Sequence, residues 1–186
     1  MPRIEVIGPN DAEGPLKDVY QSIIKSRGKI AEVHEIQSLN TESIVNHMDL
    51  YMTVMFGQSP LKRYQREMMA VVVSACNDCE YCQRHHAEAL QFFWKDEAKV
   101  SALKTDYRSA GIDHADEALC SYAEKVTRDP GRSGREDLTS DLKKHGFSDR
   151  AILDATLVVA YFNFVNRIVL ALGVEIENDP GGYRYE

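Results

Sequence analysis

Apolar residues in this chain recur at steps of three and four, and no segment alternates long enough to pair into a sheet. After a turn-rich lead-in at residues 9–14, Leu16, Val19, Tyr20, Ile23 and Ile24 share one helix face, and Gly28 stops that helix. A second helix follows Asn40 or Thr41. Its stripe of Ile44, Met48, Tyr51, Met52 and Met55 reads as core packing. Residues 60–73 form the next helix. The β-branched run Val71–Val72–Val73 would suit a strand, but the helix formers preceding it favour helix. Asn77, with Glu80 three residues on, has the spacing of a capping box and opens a helix to about Trp94.

Shorter helices are expected at residues 95–107, from Asp113 or Asp116 to Val126, and at 136–145. Residues 128–135 carry Pro130, Gly131 and Gly134 and read as a loop whose three arginines are solvated. Ser148 caps a long final helix that Gly173 ends. The tail at 178–182 reads as turn or disorder. The pattern is all-α, with about eight helices in a single domain spanning residues 1–186 and no linker to divide it.

Charge narrows the function. Lys and Arg number 22 against 29 Asp and Glu, a net charge of −7, so binding to nucleic acid or to an anionic membrane is disfavoured. The most apolar stretch, 151–174, is interrupted by Asp154, Asn163, Asn166 and Arg167, which argues against a membrane span. The first residues lack the apolar centre of a secretion signal. A reducing cytoplasm is the expected setting, where clustered cysteines more often carry chemistry than structural bridges.

Three of the four cysteines fall within seven residues: Cys76, Cys79 and Cys82. On a helix starting at Asn77, Cys79, Cys82 and His86 stand at i, i+3 and i+7, within an arc of roughly 60°. A helix N-terminus stabilises a thiolate, an imidazole one turn along can take its proton, and a second thiol can close a disulfide on the oxidised sulfur. Glu67, on the preceding helix, would orient His86 or accept its proton if the two helices fold back on each other.

Glu67, eleven residues, Cys79-x-x-Cys82, three residues, then His86 resembles the pattern of the alkylhydroperoxidase AhpD-like proteins of the carboxymuconolactone decarboxylase superfamily. The flanking Cys-Glu-Tyr-Cys-Gln-Arg-His-His and the segment 161–167 resemble its uncharacterised peroxidase-related branch, with the motif core at about residues 40–100. The resemblance implies an AhpD-like helical fold, a trimer or hexamer, and a thiol-dependent peroxidase. In that scheme Cys82 is peroxidatic, Cys79 resolving, His86 the relay and Glu67 the base. An external thiol donor is required, a hydroperoxide is the substrate, and no cofactor or metal is needed. The cysteine pair argues against lactone decarboxylation. Tyr81 stands where AhpD has a histidine, and a phenol cannot shuttle protons near neutral pH. Tyr81, His85 and Cys76 are candidate accessory residues. His85 is otherwise surface or packing, and Cys76 a small apolar residue ending a helix.

Two rival readings stay open. Cys76, Cys79, Cys82 and His86 could form a zinc site, or the chain could be a non-catalytic oligomeric redox sensor or binding protein. A thioredoxin-type reductase would need strands, which are missing. Cys120 reads as core. His34, His47, His114 and His145 have no partner cluster in sequence and take surface or cap roles by default. Asn163, Asn166 and Arg167 imply a polar network or interface, and Phe92, Phe93 and Trp94 imply packing.

Overall fold

The computed structural model describes residues 1–177 and 181–183, so the expectation for residues 178–180 lies outside what is described. Among these residues there are nine α-helices and no strand: α1 Gly14–Arg27, α2 Glu32–Glu35, α3 Thr41–Tyr51, α4 Arg63–Cys76, α5 Glu80–Trp94, α6 Glu97–Thr105, α7 His114–Arg128, α8 Thr139–Lys144 and α9 Asp149–Leu172. The helix unannounced by the sequence is α2, a single turn too short for apolar periodicity to register. A π-helical turn, Met52–Phe56, extends α3, and Arg66 donates to the carbonyls of Met55, Gly57 and Leu61 to hold this turn against α4.

α4 is the axis of the molecule. It packs against α5, α7 and α9, and every residue from Gln65 to Ser74 is buried. A helix enclosed on all sides needs apolar residues around its circumference, which the valine run supplies; this is why Val71–Val73 forms helix and not strand. The main core runs from Ala31 to Val169, centred on α4, α5, α7 and α9. A smaller cluster of Leu16, Tyr20, Ile23 and Ile44 seats α1 on α3. Cys120 is fully buried in the main core.

By length and composition α9 could cross a membrane, despite the polar residues that argued otherwise. Here one face packs against α4 and α7. Ser148 Oγ accepts from the Ala151 N–H at its start, and Gly173, at φ 70°, ends it. Arg3 donates to the carbonyls of Leu170 and Ala171, placing a cation at the negative end of the helix.

Several boundaries differ from the sequence reading. α8 begins at Thr139 and not at 136, because Asp137 accepts from the Thr139 backbone and hydroxyl and forms a turn ahead of the helix. The segment at 128–135 contains a 3₁₀ turn, Pro130–Gly134, and its arginines pair with acids close by in sequence: Arg128 with Glu124, Arg132 with Glu136, and Arg135 with Asp129.

Candidate active site

The turn between α4 and α5 departs from the predicted capping box. Asn77 ends α4; it does not begin α5. Asp78 adopts φ 53°, and α5 starts at Glu80 with Cys79 as its N-cap residue. The reversal is held by Cys79 N–H donating to Ser74 O at 2.9 Å. Freed from capping, the Asn77 side chain donates to Asn163 Oδ1 at 3.1 Å and Asn166 Oδ1 at 2.9 Å on α9.

Cys79 therefore sits at the mouth of α5, and Cys82 one turn inside. Both are buried, at 0% and 2% exposure. The two thiols hydrogen-bond to each other. The Cys82 thiol and backbone N–H both favour the Cys79 thiolate, so the Cys79 pKa is lowered in spite of burial. Donation to Cys79, together with burial, pushes the Cys82 thiol well up, while an amide from Asn166 pulls the other way. Both shifts favour keeping the proton on Cys82 over Cys79, whose sulfur stands at the helix N-terminus, where unpaired N–H groups favour negative charge.

α4 and α5 do fold back on each other. His86 Nδ1 lies 2.5 Å from Glu67 Oε2. Glu67 is fully buried, and its second oxygen lies 2.5 Å from Arg63 Nη1. Burial alone would raise this carboxyl, but His86 and Arg63 outweigh it and hold it below the usual carboxylate value. An ionised Glu67 fixes the His86 tautomer: Nδ1–H donates, and Nε2 is left as the acceptor. The ring packs edge-on against Phe162 at 4.4 Å.

Cys82 and His86 line one cavity of about 80 Å3 between α1, α2, α3, α5 and α9, with Tyr51, Tyr161 and Phe162 among its walls. Cys79 and Glu67 do not line it; they stand behind Cys82 and His86. The four motif residues are thus brought together in two layers.

The accessory candidates divide. His85 is half-buried on the cavity wall, not on the surface, and its Nε2 lies 2.7 Å from Glu177 Oε2. Tyr81 Oη donates to Glu177 Oε1 at 2.9 Å and accepts from Val33 N–H at 3.2 Å. Burial and the Glu177 charge raise Tyr81 well above an ordinary phenol, so it acts as a fixed donor. Cys76 ends α4 beside Arg128 and Glu124, and among the described residues no group of three or more Cys, His, Asp or Glu converges as metal ligands. Of the four zinc candidates, Cys79 and Cys82 hydrogen-bond to each other, while Cys76 lies beside Arg128 and Glu124 of α7.

His34 and His47 correct the surface assignment most clearly. His34 lines the cavity, and the buried His47 stands 5.2 Å from it, ring to ring. His47 Nδ1 accepts from Gln37 Nε2 at 2.8 Å, so Nε2 donates to Tyr161 Oη at 2.7 Å. His145 does cap α8, with Nδ1 donating to Asp141 O, and His114 is exposed. Glu177, Asn166 and Arg63 are the site residues that sequence reasoning missed or placed elsewhere. Only Asn166 left a trace, as a polar interruption of an apolar helix; it is fully buried and donates to Ser74 Oγ. Arg167 is exposed and bonds back to Asn163.

Residues 46–103 match the carboxymuconolactone decarboxylase family. The fold is similar to an uncharacterized peroxidase-related protein from Silicibacter sp. TM1040 (28% identity, 95% of this chain and 94% of that one, TM-score 0.83). It is also similar to the alkylhydroperoxidase AhpD core of a peroxidase-related protein from Ralstonia eutropha JMP134 (21%, 95% and 93%, TM-score 0.85). The debrominase Bmp8 shares the fold at 19% identity (94% and 92%, TM-score 0.77). The helical fold is thus the AhpD-like one, shared over nearly the whole length, and the match to the carboxymuconolactone decarboxylase family lies across the dithiol motif.

Proposed function

We propose that the chain is a thiol-dependent hydroperoxide reductase. The observation that carries this reading is the cavity wall shared by Cys82 and His86, with Glu67 fixed 2.5 Å behind the imidazole. His86 Nε2 takes the Cys82 proton, and the thiolate attacks the outer peroxide oxygen. An S–O bond forms as the O–O bond breaks; sulfur is oxidised to the sulfenic acid, and the departing alkoxide recovers the proton from His86. The Cys79 thiolate then attacks Cys82 Sγ. A disulfide forms, and hydroxide leaves as water with one proton from solvent, replacing the one Cys79 released on ionising. An external dithiol returns the pair to the reduced state by thiol–disulfide exchange. The reading includes a homo-oligomer in a reducing compartment, with no resident cofactor.

The test is turnover of an organic hydroperoxide with a small dithiol as donor. Wild type should cycle and accumulate a Cys79–Cys82 bridge when the donor is withheld, and Cys82→Ser should fall to the uncatalysed rate. A single round of oxidation without cycling would instead support a redox sensor. A second reading rests on the aromatic walls of the cavity, which suit a planar ring, and on the likeness to a debrominase. The same dithiol could reduce a carbon–halogen bond, giving the protonated ring, halide and disulfide. Halide release from a halogenated pyrrole, faster than peroxide consumption, would favour it.

A further inference from the structure

Arg27, the last residue of α1, is 7% exposed and forms part of the cavity wall. Its guanidinium lies over the Phe56 ring at 4.6 Å and the Tyr51 ring at 5.6 Å. Among the described residues it has no carboxylate or carbonyl partner. Every other described arginine has one: Arg63 pairs with Glu67, Arg66 donates to backbone carbonyls, Arg150 pairs with Asp154, and the surface arginines pair with neighbouring acids or helix ends. Aromatic faces compensate the flat sides of a guanidinium but leave its in-plane N–H groups unused. A buried cation without an anion is costly. The Arg27 nitrogens are also not among the polar atoms sealed from access without a partner, so they keep some exposure, and the residue lines the cavity.

We infer that Arg27 is the anion receptor of this cavity, and that its ligand is an organic monocarboxylate whose apolar body lies against the aromatic wall while its far end reaches Cys82. A continuous aromatic path links the two ends. Tyr51 contacts Tyr161 at 5.9 Å, Tyr161 contacts Phe162 at 5.1 Å, and Phe162 contacts His86 at 4.4 Å. The nearby carboxylates do not compete for the guanidinium: Glu67 is taken by Arg63 and His86, and Glu177 by His85, Tyr81 and the Glu32 N–H. His34, beside Arg27, is kept neutral by burial. One buried guanidinium in a mostly apolar cavity of about 80 Å3, whose other lining cation, the half-buried Lys29, lies over the Tyr183 ring, suits a single carboxylate with a small hydrocarbon body better than a multiply charged phosphate, which needs several donors.

For the peroxidase reading, this makes the substrate a carboxylated hydroperoxide. The binding step, however, can be tested without that chemistry. Calorimetric titration of reduced wild type with hexanoate and with hexanamide should show the carboxylate binding at least about tenfold more tightly, as expected for a charge-assisted pair in a poorly solvated site. Arg27→Met keeps the stem and should bring hexanoate down to the amide's affinity without changing the amide. Arg27→Lys should keep part of the preference and serves if the Met variant does not fold. Equal binding of acid and amide to wild type, no hexanoate binding, or a preference that survives in Arg27→Met would overturn the assignment. Hexanoate binding that depends on Arg27, in a protein that consumes no hydroperoxide, would uphold this inference and remove the peroxidase reading alone.

Discussion

At the scale of single residues, the site depends on two carboxylates that are each held ionised by bases. Glu67 is fully buried between His86 and Arg63, and removing either partner leaves a buried charge underpaired. Arg63→Met should therefore cost about 3 kcal/mol in denaturant unfolding. Because Arg63 helps hold the Glu67 carboxyl down, its loss should also move the acid limb of the thiol oxidation rate to higher pH. An unchanged pH profile with reduced stability would make Arg63 purely structural. Glu177 is the counterpart on the other wall. Burial pushes it up, but the bond and charge of His85 and the backbone N–H of Glu32 overcome this and bring it to about 2. Its folded value lies below the unfolded one, so its contribution is complete above about pH 4.5 and is lost as pH falls toward 2. Glu177→Gln should cost about 1–2 kcal/mol at neutral pH and nothing at pH 2, readable as converging urea midpoints.

At the scale of elements, the α4–α5 corner decides where the sulfurs stand. Asp78 holds φ 53°, a conformation that costs a residue with a Cβ roughly 1 kcal/mol and costs glycine nothing. Asp78→Gly should raise stability by about 0.5–1 kcal/mol without altering thiol reactivity, checked by thermal melts and thiol titration. A loss of stability would show that the Asp78 side chain supports the turn. This corner also marks the limit of what the residues disclosed. The long helices were legible because α1, α3, α5, α7 and α9 each bury a face that recurs at helical spacing, and α4, buried all round, was legible from its helix formers. The Glu67–His86 pairing was legible only conditionally, through the likeness of the motif spacing to the AhpD pattern; the residues alone could not show that the two helices fold back on each other. The start of α5 was not: Asn77 and Glu80 have cap spacing, and only the tertiary demand of Asn163 and Asn166 draws Asn77 away. Arg27 and Glu177 carried no local signal at all, since their roles arise where α1 and the segment after α9 meet the cavity.

At the scale of the whole molecule, two histidines placed by sequence on the surface lie inside it, and this fixes how stability responds to acid. Burial lowers His47 to about 4 and His34 to about 3, the latter helped by His47 and Arg27. The hydrogen bonds explain why His47 resists charge: its Nδ1 accepts from Gln37, so protonation there would set two donors against each other, while Nε2 already donates to Tyr161. Below about pH 6.5 the unfolded chain binds a proton at His47 that the folded chain refuses until about pH 4, so stability declines as pH falls across that window. The slope is about 1.4 kcal/mol per pH unit, or about 3 kcal/mol in all. Glu35, which burial raises to about 7, acts in the opposite sense, because the folded form holds the extra proton between about pH 4.5 and 7. The two contributions separate by difference. His47→Gln keeps polar atoms that can face Gln37 and Tyr161 but cannot titrate, so the wild type should lose about 3 kcal/mol more than the variant between pH 7 and pH 4, with Glu35 cancelling. Urea unfolding of both proteins at half-unit pH steps measures this. Parallel curves would mean that His47 carries its proton inside the fold, and the Gln37–His47–Tyr161 chain would then have to run in the opposite direction.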